Sequence, residues 1–185
     1  MSFNSPNVCL EPTPKAVGSK AGLELTGDEA MKPLYIFDLD GTLALIEHRR
    51  RFVERPRGEQ DWKAFYSACV DDHPNDPVID TMERLREAGA DIWIFSGRSD
   101  EVRAQTVKWL ADKTTFMSWE LDSPMLTMRQ AGDYTPDDVL KKRWLDDMLV
   151  SDKARLVAVF EDRDRMVKMW RAAGVPCFQV AAGDF

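Results

Sequence analysis

An α/β fold, with a parallel sheet covered by helices on both faces, is what this 185-residue chain predicts. Three observations carry that reading. Short apolar runs recur along the chain, as strands buried on both faces require. Between them lie stretches whose apolar residues fall at helical spacing. The two kinds of segment take turns, which is the pattern of parallel strands joined by helical crossovers.

Taken in order, residues 1–30 mix Ser, Pro, Gly and Asn with few periodic apolar positions, and a flexible leader is expected there. The folded domain is expected over 31–185. Leu34–Phe37 (LYIF) reads as the first strand, Val78–Ala88 as a helix, and DIWIFSGR from Asp91 to Arg98 as the second strand. A helix over Glu101–Ala111, a short strand over Pro124–Met128 and a helix over Pro136–Leu149 follow. RLVAVF from Arg155, a helix over Arg163–Ala172 and the strand CFQV from Cys177 complete the alternation. In the helix after Pro136, Val139, Leu140, Trp144 and Met148 mark the stripe expected to be buried, and Asp138 and Lys142 a surface pair.

The stretch 46–77 breaks the rhythm, because it is far longer than the usual connection of about 2–6 residues. A small helical insert is expected. DWKAFYSACV supplies its apolar stripe through Trp62, Phe65, Tyr66 and Cys69. Ligands of open parallel sheets bind beyond the carboxyl ends of the strands, and this insert leaves that edge, so it is placed to roof a site.

Composition excludes several classes. Cys9, Cys69 and Cys177 are widely spaced and form no C-x-x-C, which argues against a disulfide framework or a zinc site and fits a reducing cytoplasm. No apolar run approaches the roughly 18 residues of a membrane span, and the N-terminus lacks the apolar core of a signal peptide. A cytoplasmic protein, neither exported nor anchored, is expected. The net charge of −7 argues against tight, salt-driven binding to long duplex nucleic acid.

Asp38 and Asp40 follow the first strand one residue apart, and a period of two sends both side chains the same way if the strand continues. At about 4 Å and an effective dielectric near 20, their repulsion is about 4 kcal/mol, so the pair calls for a cation, a proton or both. A solvated Asp-Gly turn is the plainer alternative. Further strand ends carry matching chemistry: Ser96, Gly97 and Arg98 after the second strand, Asp137 and Lys141 on a later helix, Glu161 and Asp162 after RLVAVF. Singly, Ser96 reads as a helix cap and Lys141 as a solvated lysine; together they converge on one site.

The order D-x-D-G-T, S-G-R, helix-borne lysine and acidic pair resembles the haloacid dehalogenase superfamily of aspartate-nucleophile phosphatases, over about residues 33–185. Within it, IFDLDGTLA, DDVLK, the S-G-R turn and VKMWRAAGVPCFQVAAGDF are similar to the 3′-phosphatase domain of phage polynucleotide kinase. Glu161 stands where that pattern more often has aspartate. The resemblance implies a Rossmann-like sheet with a cap at 46–77 and an Mg²⁺-dependent phosphomonoesterase. Asp38 is then the nucleophile forming an aspartyl-phosphate, and Asp40 the acid and base, with a raised pKa in the first half-reaction. Lys141 neutralises phosphoryl charge and orients Asp38. Thr42, Arg49, Ser96, Gly97, Arg98 and Asp137 are the expected phosphate-binding positions. Asp38, the Asp40 main-chain carbonyl and Asp162, with Glu161 beside them, are expected to hold Mg²⁺, since oxygen-only ligation favours it over zinc.

His48, Arg49, Arg50, Arg51, Arg55 and Arg57 cluster in the insert and offer contacts to phosphates flanking a strand end, unless they merely solvate a helix face. Trp62 or Phe65 offers a ring for a base, although core packing is the use that their helical spacing favours. No G-x-x-x-x-G-K-[ST] occurs, so a phosphatase without a kinase half is expected. The substrate expected is a phosphorylated nucleic acid 3′ end. A nucleotidase, and a catalytically idle phosphate-binding module, are the alternatives, and the sequence leaves oligomeric state open.

Overall fold

The computed structural model describes residues 31–122 and 124–183, together with Met1. Apart from Met1, the expected leader lies outside the described residues. The strands are β1 (Leu34–Phe37), β2 (Ala44–Leu45), β3 (His73–Pro74), β4 (Asp91–Ser99), β5 (Leu126–Arg129), β6 (Leu156–Glu161) and β7 (Cys177–Gln179). The helices are α1 (Glu47–Arg50), α2 (Trp62–Ser67), α3 (Asp76–Glu87), α4 (Arg103–Lys113), α5 (Asp137–Asp147), α6 (Val150–Arg155) and α7 (Asp164–Ala172).

Five strands form one parallel sheet in the order β5-β4-β1-β6-β7. Alternation along β1 divides the core. Phe37 faces a cluster with Ile79 and Met82 of α3 and Trp109 and Leu110 of α4. Leu34 and Ile36 face another, with Leu145 of α5 and Val167 and Trp170 of α7. Both sheet faces are therefore covered by helices, as the near-continuous apolar strands demand. From β1 the chain moves outward through β4 and β5, then returns to lay β6 on the other side of β1. That reversal opens a crevice at the carboxyl ends of β1 and β6, the usual place for a ligand. No described helix is long and apolar enough to cross a membrane.

Two expectations need correction. The insert is not purely helical, because β2 and β3 pair antiparallel and close its stem. Asn75 reinforces that clasp, its main-chain N–H donating to Leu43 O and its side-chain amide to Thr42 O, both at 2.8 Å. The hydrogen bonds of a stem cannot be read from apolar spacing, which tracks only α2. Even there the stripe is partial: Phe65 and Cys69 are buried, but Trp62 is 50% exposed.

The helix expected over Pro136–Leu149 ends at Asp147, and Met148 and Leu149 are extended before α6, which sequence patterning missed. Val139 is 51% exposed, while Leu140, Lys141 and Leu145 are buried. The helix is thus rotated about one position, or roughly 100°, from the expected stripe, which turns Lys141 inward. The expected Asp138–Lys142 pair is absent among the contacts seen: Asp138 pairs with Arg165 of α7, and Lys142 with Asp146 at 2.6 Å.

Candidate active site

The turn after β1 builds the floor of the site. Gly41 has φ +90°, and a Cβ there would lie 2.0 Å from Asp162 Oδ2, so only glycine lets the D-x-D-G-T turn pass against the loop after β6. That passage brings Asp38, Glu161 and Asp162 together. One carboxylate oxygen from each lies within 4.8 Å of the others, and all three residues are buried. Lys141 enters from α5, its Nζ donating to Asp38 Oδ1 and, at 2.8 Å, to Glu161 Oε2.

Three carboxylates against one ammonium leave a formal charge of −2, which a hard divalent cation with oxygen ligands matches. The titration behaviour points the same way. Burial, with the neighbouring Glu161 charge, pushes Asp38 up to about 7. Burial, with the charges of Asp38 and Glu161, raises Asp162 as well, to about 9. Burial opposes the Lys141 ammonium, but Asp38 and Glu161 more than offset it and raise its pKa. The cluster is short of positive charge, and the donor set fits a metal such as Mg²⁺.

Asp40 faces elsewhere. Arg49 Nη2 donates to its Oδ1 at 2.6 Å, and Arg98 Nη2 donates to the same oxygen. Behind them, wholly buried Asp72 accepts from Arg49 Nε at 2.6 Å, Arg49 Nη2 at 2.7 Å and Arg98 Nη2 at 2.9 Å. Arg98 also reaches Thr106 Oγ1 at 3.2 Å, and the Arg49 guanidinium lies 4.2 Å from the Phe65 ring centroid. Burial alone would raise the Asp40 pKa, but the charges of Arg98 and Arg49 win and hold it at about 2. This departs from the raised value expected of an acid, and the cause is the pair of guanidiniums.

Several expected phosphate ligands take other positions. Arg49 and Arg98 have no exposed side-chain surface and grip Asp40 and Asp72 rather than lining the cleft. Asp137, an anion, holds two arginines instead: Arg129, which also donates to Gly97 O at 2.9 Å, and Arg163 at 2.5 Å. Burial raises the Asp137 pKa, but Arg163 and Lys141 outweigh it and the carboxyl titrates below its ordinary value. Gly97 sits directly beneath, where a Cβ would come 2.8 Å from Asp137 Oδ1. Thr42 and Ser96 are fully buried; the Thr42 hydroxyl donates to Asp162 Oδ1 at 3.4 Å, and Ser96 Oγ accepts the Arg98 N–H at 3.2 Å.

A cavity of about 1000 Å³ opens above this floor, lined by Asp38, Asp40, Gly97, Lys141 and Glu161. Its walls include Arg129 and Arg163, which sequence reasoning missed. Arg129 ends β5 one residue past the expected strand, and Arg163 directly follows the acidic pair, so position relative to strand ends was the available signal. Asp72 was missed too, and nothing in its sequence surroundings marks it. Of the insert arginines only Arg50 lines the cavity, and it pairs with Glu54 at 2.5 Å. Across 46–77, six Lys and Arg residues meet seven Asp and Glu residues, so the expected basic patch is balanced.

Residues 32–185 match the family described as the phosphatase domain of polynucleotide kinase PNKP. The chain belongs to that family. A relative in Autographa californica nuclear polyhedrosis virus, which carries the name of a bifunctional polynucleotide kinase/RNA ligase, is 30% identical over 140 residues. That match covers 75% of this chain and 18% of the relative. A chain of the Pnkp1/Rnl/Hen1 RNA repair complex superposes with TM-score 0.64 at 28% identity, over 96% of this chain and 51% of the solved one. The chain therefore spans about half the length of that solved protein. A class C acid phosphatase from Bacillus anthracis with tungstate bound, at TM-score 0.51 and 19% identity over 71% of this chain and 52% of that one, shares the fold. The chain has the haloacid-dehalogenase-like α/β fold that the sequence resemblance implied, with the small antiparallel clasp in addition.

Proposed function

We propose that this PNKP-family phosphatase domain is an Mg²⁺-dependent phosphomonoesterase that removes the phosphate from nucleic acid 3′ ends through an aspartyl-phosphate on Asp38. The observation that carries the reading is the Asp38 carboxylate on the cavity floor, held by Lys141 and flanked by Glu161 and Asp162. Asp38, the Asp40 main-chain carbonyl and Asp162, with Glu161 adjacent, are the groups assigned to the metal. When bound, the ion neutralises phosphoryl charge and lets a dianion approach the carboxylates.

In this mechanism Asp38 attacks phosphorus, the 3′-oxygen leaves, and water then attacks the phosphorus of the aspartyl-phosphate and frees Asp38. Lys141 keeps Asp38 aimed and pulls it toward its ionised form, against the burial and the Glu161 charge that raise its pKa. Asp40, held as an anion by Arg49 and Arg98, is in the form that can take a proton from the attacking water, although at about 2 it is a weak base until negative charge beside it raises that value. A phosphoryl dianion arriving beside it adds negative charge and moves it toward proton uptake, the direction that protonating the leaving oxygen requires. Arg129 and Arg163, held by Asp137 at the cavity wall, are the cations assigned to the phosphoryl oxygens. The insert at 46–77 is assigned the role of a cap.

The test is phosphate release with Mg²⁺ from matched oligonucleotides phosphorylated at either end and from nucleoside 3′-monophosphates. Preferential turnover of the 3′-phosphorylated oligonucleotide is expected. A preference for the mononucleotide would favour a nucleotidase, and no turnover of any ester would overturn the enzyme reading.

A further inference from the structure

We infer that Trp62 is a nucleobase-stacking residue, which makes the cap a reader of the terminal nucleoside rather than a plain lid. The inference rests on the proposed 3′-phosphatase reading and adds the part of the substrate recognised beyond the phosphate. Trp62 opens α2, lines the same cavity as Asp38 and Asp40, and is 50% exposed although it belongs to an otherwise inward-facing stripe. Packing of the insert does not require its outer face, because Phe65 and Cys69 are the buried members.

Its ring is braced. Trp62 meets Phe65 edge-on at 5.9 Å between centroids and Tyr66 at 6.0 Å, while Arg49 lies over Phe65. An exposed indole held by two rings loses little freedom on meeting a ligand, so stacking on it is preorganised. A second exposed ring, Tyr134, 92% exposed in the loop before α5, lines the same cavity.

The cavity lining carries charges of both signs, including Lys63 next to Trp62 in the chain, so charge alone does not mark the place beside Trp62 for a second phosphate. Glu54 and Glu101 line the cavity, and Arg50 is paired with Glu54. A flat, uncharged π-face with a phosphate one sugar away matches an aromatic wall in the same cavity as Asp38 and Lys141, where the divalent cation of the proposed reaction would be held. Stacking is tolerant of base identity, so preference for a base over none is expected, without strong preference among bases.

The test compares kcat/KM for two 3′-phosphorylated oligonucleotides, identical except that one carries an abasic sugar at the 3′ terminus. The wild-type protein should prefer the base-bearing substrate by about 10-fold, the range that one base stacked on an aromatic ring supplies. In Trp62→Ala that ratio should fall to near one, and in Trp62→Phe it should be largely restored, with thermal melts confirming that both variants are folded. A wild-type ratio of one, or a ratio unchanged in Trp62→Ala because both substrates lose equally, would overturn the inference while leaving the phosphatase reading intact. Failure of the wild-type protein to dephosphorylate either substrate would overturn the proposed function, and the inference with it.

Discussion

Arg49 donates a 2.6 Å hydrogen bond from Nη2 to Asp40 Oδ1, from a guanidinium with no exposed surface to a carboxylate whose side chain is 18% exposed. Such a pair stays together only because Arg98 and Asp72 complete it. Removing one partner of a buried ion pair leaves an uncompensated charge, at a cost of about 3–5 kcal/mol. Arg49→Ala should therefore lose that much stability as well as activity. Arg49→Lys should not rescue it, since an ammonium lacks the planar fork whose Nε and Nη2 grip both oxygens of Asp72 while Nη2 also reaches Asp40. Denaturant unfolding checks this; a variant of wild-type stability would mean that the network contributes little.

The same network sets an acid limb. Asp40 titrates at about 2 in the folded protein against 3.8 as its ordinary value. A carboxyl lowered in this way stabilises the fold above the unfolded value, and that contribution is lost as pH falls through about 2. Wild-type protein should lose stability more steeply over that acid range than Asp40→Asn, measured by denaturant midpoint against pH.

Lys141 and Lys142 are neighbours with opposite fates. Lys141 is buried between Asp38 and Glu161, and Lys142 is an exposed partner of Asp146. Lys141→Ala should lower kcat by at least about 100-fold, the scale of losing a buried charge aimed at the reacting groups. Lys142→Ala should change stability by no more than about 0.5 kcal/mol and leave kcat near normal. The reverse pattern would move the catalytic lysine by one position.

Metal binding should grow with pH. Asp38 and Asp162 are raised from 3.8 to about 7 and about 9 without a metal, so they retain protons in the fold that the unfolded chain gives up. Stability of the metal-free protein should then fall as pH climbs from about 4 through those raised values, and Mg²⁺, which binds the deprotonated form, should restore it. The rise in Tm on adding Mg²⁺ should be larger at about pH 8 than at about pH 6, with calorimetry showing proton release. A rise independent of pH would place the metal elsewhere.

Two glycines separate backbone strain from crowding. Gly41 and Gly58 both have φ near +90°, but a Cβ at Gly58 meets nothing within 4 Å. Gly58→Ala should cost only the left-handed penalty of about 1–2 kcal/mol and keep activity. Gly41→Ala must push Asp162 away and should abolish activity along with metal affinity.

The alternation of apolar runs made the sheet legible, and residues at strand ends made most of the site legible, because sequence order alone delivers Asp38, Gly97 and Asp162 to one edge. Side-chain direction was not legible. Arg49 and Arg98 read as ligands for phosphate because the family resemblance places functional arginines there, whereas Asp72, 23 residues beyond Arg49, holds both beside Asp40. The rotation that brings Lys141 inward was hidden for a similar reason. Val139 suits a buried stripe by type, but contacts with the sheet, rather than hydrophobicity alone, set the face that α5 presents.

The central claim is that Asp38 carries the phosphoryl group during turnover. It is tested most directly by rapid acid quench of the wild-type protein acting on an oligonucleotide with a radiolabelled 3′-phosphate, followed by peptide mapping. The account predicts label bound to protein at Asp38, released by hydroxylamine as an acyl phosphate is, and absent in Asp38→Asn. Undiminished phosphate release by Asp38→Asn, or label recovered on any other residue, would contradict it.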